Sequence, residues 1–248
     1  MTSIETAPLP TATELGLRPI SDLTRADVPF AGGKGANLGE LTAAGLPVPP
    51  GFVIGAPAYA AFVDGTGLRE RIEARLAGVD VDDPAALEAA AQEVRALVDA
   101  EPVPDGIAAA IRRSYEELVG ADRDAPVAVR SSATAEDTEA ASFAGMNETF
   151  LNTRGADDVL AAVRRCWSSL FGARTIFYRA KRGFGQADMD IAVVVQRQIE
   201  SERAGVMFTI DPSSGSTDTL VIEGSFGLGE AVVSGRVSPD RFVVDKET

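Results

Sequence analysis

The segment Ala31-Gly32-Gly33-Lys34-Gly35-Ala36-Asn37 sets three glycines around one lysine. Glycine lets a backbone come close to a ligand, and the amides at a helix N-terminus favour negative charge, so the composition suits a phosphate group. Lys34 adds a compact point charge. The pattern is not a Walker A loop, because Gly35 follows Lys34 where serine or threonine is required. Two readings stand at this point: a phosphate cradle, or a glycine-rich loop with a solvated lysine. A second stretch, Val127-Ala128-Val129-Arg130-Ser131-Ser132-Ala133-Thr134-Ala135-Glu136-Asp137, carries an arginine from the end of a short buried strand into a hydroxyl-rich loop. Its planar guanidinium can fork onto a phosphate or pair with Glu136 or Asp137.

Other segments carry weaker signals. Ser142-Phe143-Ala144-Gly145 joins an apolar hinge to a glycine, as a lid or an ordinary connection would. Gln196-Arg197-Gln198 leaves an apolar strand with amide donors and acceptors that suit an adenine edge. Asp211, before Pro212, reads as a turn-capping aspartate or a ligand contact. Gly227-Leu228-Gly229-Glu230 follows a strand and resembles half of a dinucleotide fingerprint without its third glycine.

Composition narrows the chemistry. The 248 residues include no histidine, which excludes a Ser-His-Asp triad, a His-rich metal site and a phosphohistidine carrier within this chain. A net charge of -14 disfavours binding to nucleic acid or anionic membranes through general electrostatics, so an anionic ligand must be held by a few local cations. The single cysteine, Cys166, cannot form an intrachain disulfide. No apolar stretch approaches the length of a membrane span and the N-terminus lacks the layout of a secretory signal, so the expected location is cytoplasmic.

Hydrophobic spacing supplies the elements that must position these residues. Ala36 to Ala44 reads as a helix ended by Gly45, which puts the glycine cluster at its N-terminus. Val53 and Ile54 end a Pro-broken apolar stretch as a short strand. Helices are expected at Pro57 to Val63, Leu68 to Leu76, Pro84 to Val98, Asp105 to Val119 and Asp157 to Phe171, with strands at Val127 to Val129 and Thr149 to Asn152. From Asp190 the pattern turns to strands: Ile191 to Gln196, Gly205 to Ile210, Thr219 to Glu223 and Arg241 to Val244. A helix-rich lobe over 1–190 and a β-rich lobe over 191–248 are therefore expected.

The ordered series Gly32 to Glu40, Val129 to Asp137, Ser142 to Gly145 and Gly227 to Glu230, with Gly205 to Thr209 and Ser238 to Asp240, closely resembles the N-terminal ATP-binding region of phosphoenolpyruvate synthases. Pyruvate phosphate dikinases and rifampin phosphotransferases share this type of domain. The resemblance implies an α/β (α+β) fold of the ATP-grasp type, two lobes clasping ATP, with the second lobe truncated. It implies phosphate contacts from Lys34 and Arg130, which would act in catalysis. The nucleotide site would be completed by Gly33, Ser142, Gly145, Gln196, Gln198, Asp211 and Glu230. The expected cofactors are ATP and Mg2+, the metal ligands lying beyond residue 248. In the intact parent, ATP would phosphorylate a carrier histidine on a separate domain, and pyruvate or another acceptor would follow. A rifampin phosphotransferase domain and a non-catalytic nucleotide-binding module are the alternatives.

Overall fold

The computed structural model describes residues 11–134, 148–183, 185 and 190–247. The chain divides into two compact units, Met1–Gln198 and Ile199–Thr248. In the first, β1 (Leu17–Pro19) leads through two short 3-10 turns into α1 (Val28–Ala43), β2 (Gly51–Ile54) and four helices: α2 (Ala56–Gly65), α3 (Leu68–Leu76), α4 (Pro84–Ala100) and α5 (Asp105–Val119). Then come β3 (Val127–Ala133), β4 (Thr149–Thr153), α6 (Ala156–Ser168), α7 (Ala173–Arg182) and β5 (Ile191–Arg197). The second unit holds β6 (Arg203–Phe208), β7 (Thr219–Phe226), α8 (Glu230–Val233) and β8 (Asp240–Asp245). This is a mixed helix and sheet protein.

The five strands of the first unit pair in the order β1-β2-β5-β3-β4, every neighbouring pair antiparallel. Strand β5 is central because it can be buried on both faces: Ile191 to Val195 is an uninterrupted apolar run. Its side chains alternate between two cores. Ile191, Val193 and Val195 join Phe52, Ile54, Val127 and Val129 under α2 to α7. Ala192 and Val194 join Val53, Ile20, Leu23 and Ala31 on the opposite face, where α1 packs.

Helix α4 shows how local sequence builds the larger layer. The Asp83 carboxylate accepts from the amides of Ala85 and Ala86 at 2.9 and 3.2 Å, and Pro84 occupies the first turn, where its missing N–H costs nothing. Leu87, Ala91, Val94 and Val98 then form one buried stripe. At the centre of this layer the Trp167 ring stacks on Phe62 with centroids 4.8 Å apart.

Three expectations are revised. The lobe boundary expected after residue 190 falls at Gln198, because Ile191–Arg197 is the middle strand of the first sheet and cannot leave it. Strand β3 does not end at Val129. It pairs with β5 from Val127↔Arg197 through Ala133↔Ile191, so Arg130, Ser131 and Ser132 are strand residues and not loop residues. Helix α7 has no counterpart in the sequence reading. Its inward positions are Thr175, Ile176 and Arg179, and an arginine facing inward hides the apolar stripe. Burial lowers the pKa of Arg179 to about 10, and its guanidinium lies 5.8 Å from the Phe171 ring.

In the second unit β6, β7 and β8 form an antiparallel sheet in that order. Strand β8 is exposed along its length, Phe242 and Val243 included.

Candidate functional site

Helix α1 is where the glycine-rich segment acquires a shape. Thr24 and Asp27 form a capping box ahead of it, the Asp27 carboxylate accepting from the Thr24 amide at 2.8 Å and from Arg18 at 2.7 Å. Those bonds, the Thr24 amide first, hold the Asp27 pKa below the usual carboxylate value. The helix starts earlier than the glycine cluster, at Val28 with Pro29 in its first turn. It then breaks at Gly32, whose φ of 66° and ψ of 172° are not helical. The cluster therefore sits at the N-terminus of the helix's second segment, with one helical turn ahead of it.

A break of this kind strips the following amides of their i−4 partners. Strand β3 replaces two of them. Ser132 Oγ accepts from the amides of Lys34 and Gly35 at 3.2 and 3.4 Å and donates to the Ala31 carbonyl at 2.8 Å. Contact between helix and strand is so close that a β-carbon on Gly32 would lie 2.3 Å from Ser132 Oγ and 2.4 Å from its carbonyl oxygen. Only glycine fits.

Arg130 precedes Ser132 by two positions, so strand alternation puts both on the face that carries α1. Its cross-strand neighbours are Val194 on one side and Thr149 on the other, and the residue is half-buried. One sheet face thus brings Arg130 together with the start of the Lys34 segment. Gly33 is buried there.

The hydroxyls around Arg130 are engaged within the protein, which sequence reasoning did not foresee. Ser131 binds the backbone of Glu148, accepting from its amide at 2.8 Å. Thr134 Oγ1 donates to the Asp190 carbonyl at 3.0 Å. With Ser132 holding α1, successive hydroxyls of one strand end tie down three separate segments.

The remaining expected site residues are distributed as follows. Gln196 is buried in β5 and its Nε2 donates to the Pro49 carbonyl at 3.0 Å. Gln198 and Asn152 bind each other reciprocally: the Asn152 amide donates to Gln198 Oε1 at 2.7 Å, and Gln198 Nε2 to Asn152 Oδ1 at 2.8 Å. Asp211, in the second unit, caps its own turn by accepting from the Ser213 amide and the Ser214 hydroxyl at 2.8 and 2.9 Å, and the first of these lowers its pKa most. Glu230 opens α8 and lies 3.2 Å from Arg236. Ser142 and Gly145 lie outside the described residues. Among the described residues no group of three His, Cys, Asp or Glu side chains is placed to hold a metal, and no helix is long and apolar enough to cross a membrane.

A mixed helix and sheet protein of two units, with a glycine-broken helix fastened beside an arginine-bearing strand, is the class that fold and site define. The family model described as pyruvate phosphate dikinase, AMP/ATP-binding domain, matches residues 28–248, and the chain belongs to that family. A probable phosphoenolpyruvate synthase of Methanothermobacter thermautotrophicus is 54% identical over 230 residues, covering 92% of this chain and 33% of the relative. One of Methanocaldococcus jannaschii is 49% identical over 232 residues, covering 92% of this chain and 19% of the relative. The phosphoenolpyruvate synthase of Pyrococcus furiosus is 42% identical over 261 aligned positions, covering 92% of this chain and 32% of the relative. The chain therefore spans a third or less of each of these curated relatives.

Proposed function

We propose that this chain is the nucleotide-binding part of an ATP-dependent phosphotransferase of the phosphoenolpyruvate synthase type. Its fold on this reading is of the ATP-grasp type. In the parent, ATP phosphorylates a carrier histidine, which hands the group to pyruvate; these 248 residues contain no histidine, so on this reading the carrier belongs to a separate domain outside them.

The observation that carries the reading is the fastening of the Lys34 segment to the Arg130 strand through Ser132. In a protein of net charge -14, a polyphosphate requires cations concentrated in one place. Lys34 supplies a point charge and Arg130 a fork, two complementary ways of holding phosphate oxygens. Gly33 adds backbone that a phosphate can approach. Gln196, Gln198, Asp211 and Glu230 are secondary in this proposal. Mg2+ would enter with the phosphates and neutralise their charge; no described side chain is assigned to it.

The test is equilibrium binding of ATP by titration calorimetry to the chain and to its Lys34→Met and Arg130→Met variants. Loss of about tenfold or more in affinity from either substitution is expected, since a charge-assisted bond contributes about 1.5–3 kcal/mol. Unchanged affinity in both variants would remove Lys34 and Arg130 from the site.

A further inference from the structure

We propose that Ser132 is the positioning residue of the nucleotide site: its hydroxyl sets where the second segment of α1 begins and so fixes Lys34 relative to Arg130. The inference rests on Lys34 being a nucleotide contact. Its geometric basis is independent of that reading.

A serine hydroxyl has one donor and two acceptor sites. Ser132 uses all three on α1, donating to Ala31 O and accepting from Lys34 N and Gly35 N. These bonds straddle the break at Gly32, with Ala31 before it and Lys34 and Gly35 after it. They do more than satisfy stray amides. An N-cap ordinarily comes from the residue preceding its own helix. Here it comes from a strand 98 positions away in sequence from Lys34, so the helix start is registered to the sheet and not to its own leading turn.

The same strand carries Arg130 two residues earlier on the same face, which puts the two Cα atoms about 7 Å apart. The separation of the lysine and arginine therefore depends on a rigid strand and one hydroxyl. Ser132 is fully buried and Gly32 is packed against it, so no larger side chain fits in its place. Its hydroxyl is fully occupied by the protein and acts on a ligand only through Lys34.

Positioning and general stabilisation differ in a double-mutant cycle. ATP affinity is measured by calorimetry, and melting temperature in parallel, for the wild type, Ser132→Ala, Lys34→Met and the double variant. Ser132→Ala is expected to weaken ATP binding about fivefold to tenfold when Lys34 is present, the scale of a lost cap. It should leave affinity unchanged when Lys34 is already methionine. Equal losses in both backgrounds would show a merely structural serine and overturn the proposal. Full affinity in Ser132→Ala, with Lys34→Met weakened, would overturn it and leave the site standing. Full affinity in Lys34→Met would overturn the site reading itself, and the positioning role with it. If Ser132→Ala fails to fold, Ser132→Gly, which removes the hydroxyl and adds no volume, goes through the same cycle with the same expected signs.

Discussion

Replacing Gly32 with alanine would force a β-carbon to within 2.3 Å of Ser132 Oγ and 2.4 Å of the Ser132 carbonyl oxygen. Two costs add. A backbone at φ 66° and ψ 172° lies in a region open essentially to glycine alone, and holding another residue there costs on the order of 1–3 kcal/mol. Forcing extra volume into a packed contact costs roughly 1–3 kcal/mol more, and the obstructing carbonyl belongs to a strand paired along its whole length. The sum, about 2–6 kcal/mol, is a large share of the roughly 5–15 kcal/mol typical of a folded protein. Gly183 is the control. It also has a positive φ, of 71°, but a β-carbon there would meet nothing within 4 Å, so its alanine variant carries the backbone cost of roughly 1–2 kcal/mol without the collision. Urea unfolding followed by the fluorescence of Trp167, the single tryptophan, reads the first unit specifically. Gly32→Ala should lose at least about 1 kcal/mol more than Gly183→Ala. Equal losses would mean that α1 and β3 are not packed as closely as described.

Further outcomes can be checked on the same protein. Cys166 is fully buried and burial pushes its thiol pKa up, so a thiol reagent should react with it only after denaturation. Asp27 has a lowered pKa in the folded state, so its ionised form contributes stability above the unfolded value of about 3.9 and loses it as pH falls through the folded value. Asp27→Asn should therefore flatten the decline of melting temperature with pH below about 4. Ile111, fully buried on α5, should cost about 2–5 kcal/mol on truncation to alanine, measured by urea unfolding.

Helices α3 and α5, Leu68–Leu76 and Asp105–Val119, were legible in position because each carries a regular apolar stripe, Leu68, Ile72 and Leu76 in one and Ile107, Ile111 and Tyr115 in the other. Helix α7 was not, since Arg179 takes an inward position that a periodic reading assigns to an apolar residue. The extension of β3 through Ala133 was hidden for another reason. Arg130, Ser131 and Ser132 look like a loop when read locally, and only pairing with the distant strand β5 makes them a strand. That same distance concealed the lobe boundary at Gln198. At the site, the types of Lys34 and Arg130 and their surrounding motifs pointed to phosphate. Ser132 resembled its neighbours, and nothing in its spacing announced that one hydroxyl would join Ala31, Lys34 and Gly35.

The most direct measurement is an amide-resolved NMR titration of the chain with ATP and Mg2+. Resonances of Gly33, Lys34 and Arg130 should move together along one saturation curve, and in Lys34→Met the curve for Gly33 and Arg130 should shift to about tenfold or more higher ATP. Saturable binding that leaves these three amides unmoved, while shifting resonances elsewhere, would contradict a nucleotide site built on the α1 break and strand β3.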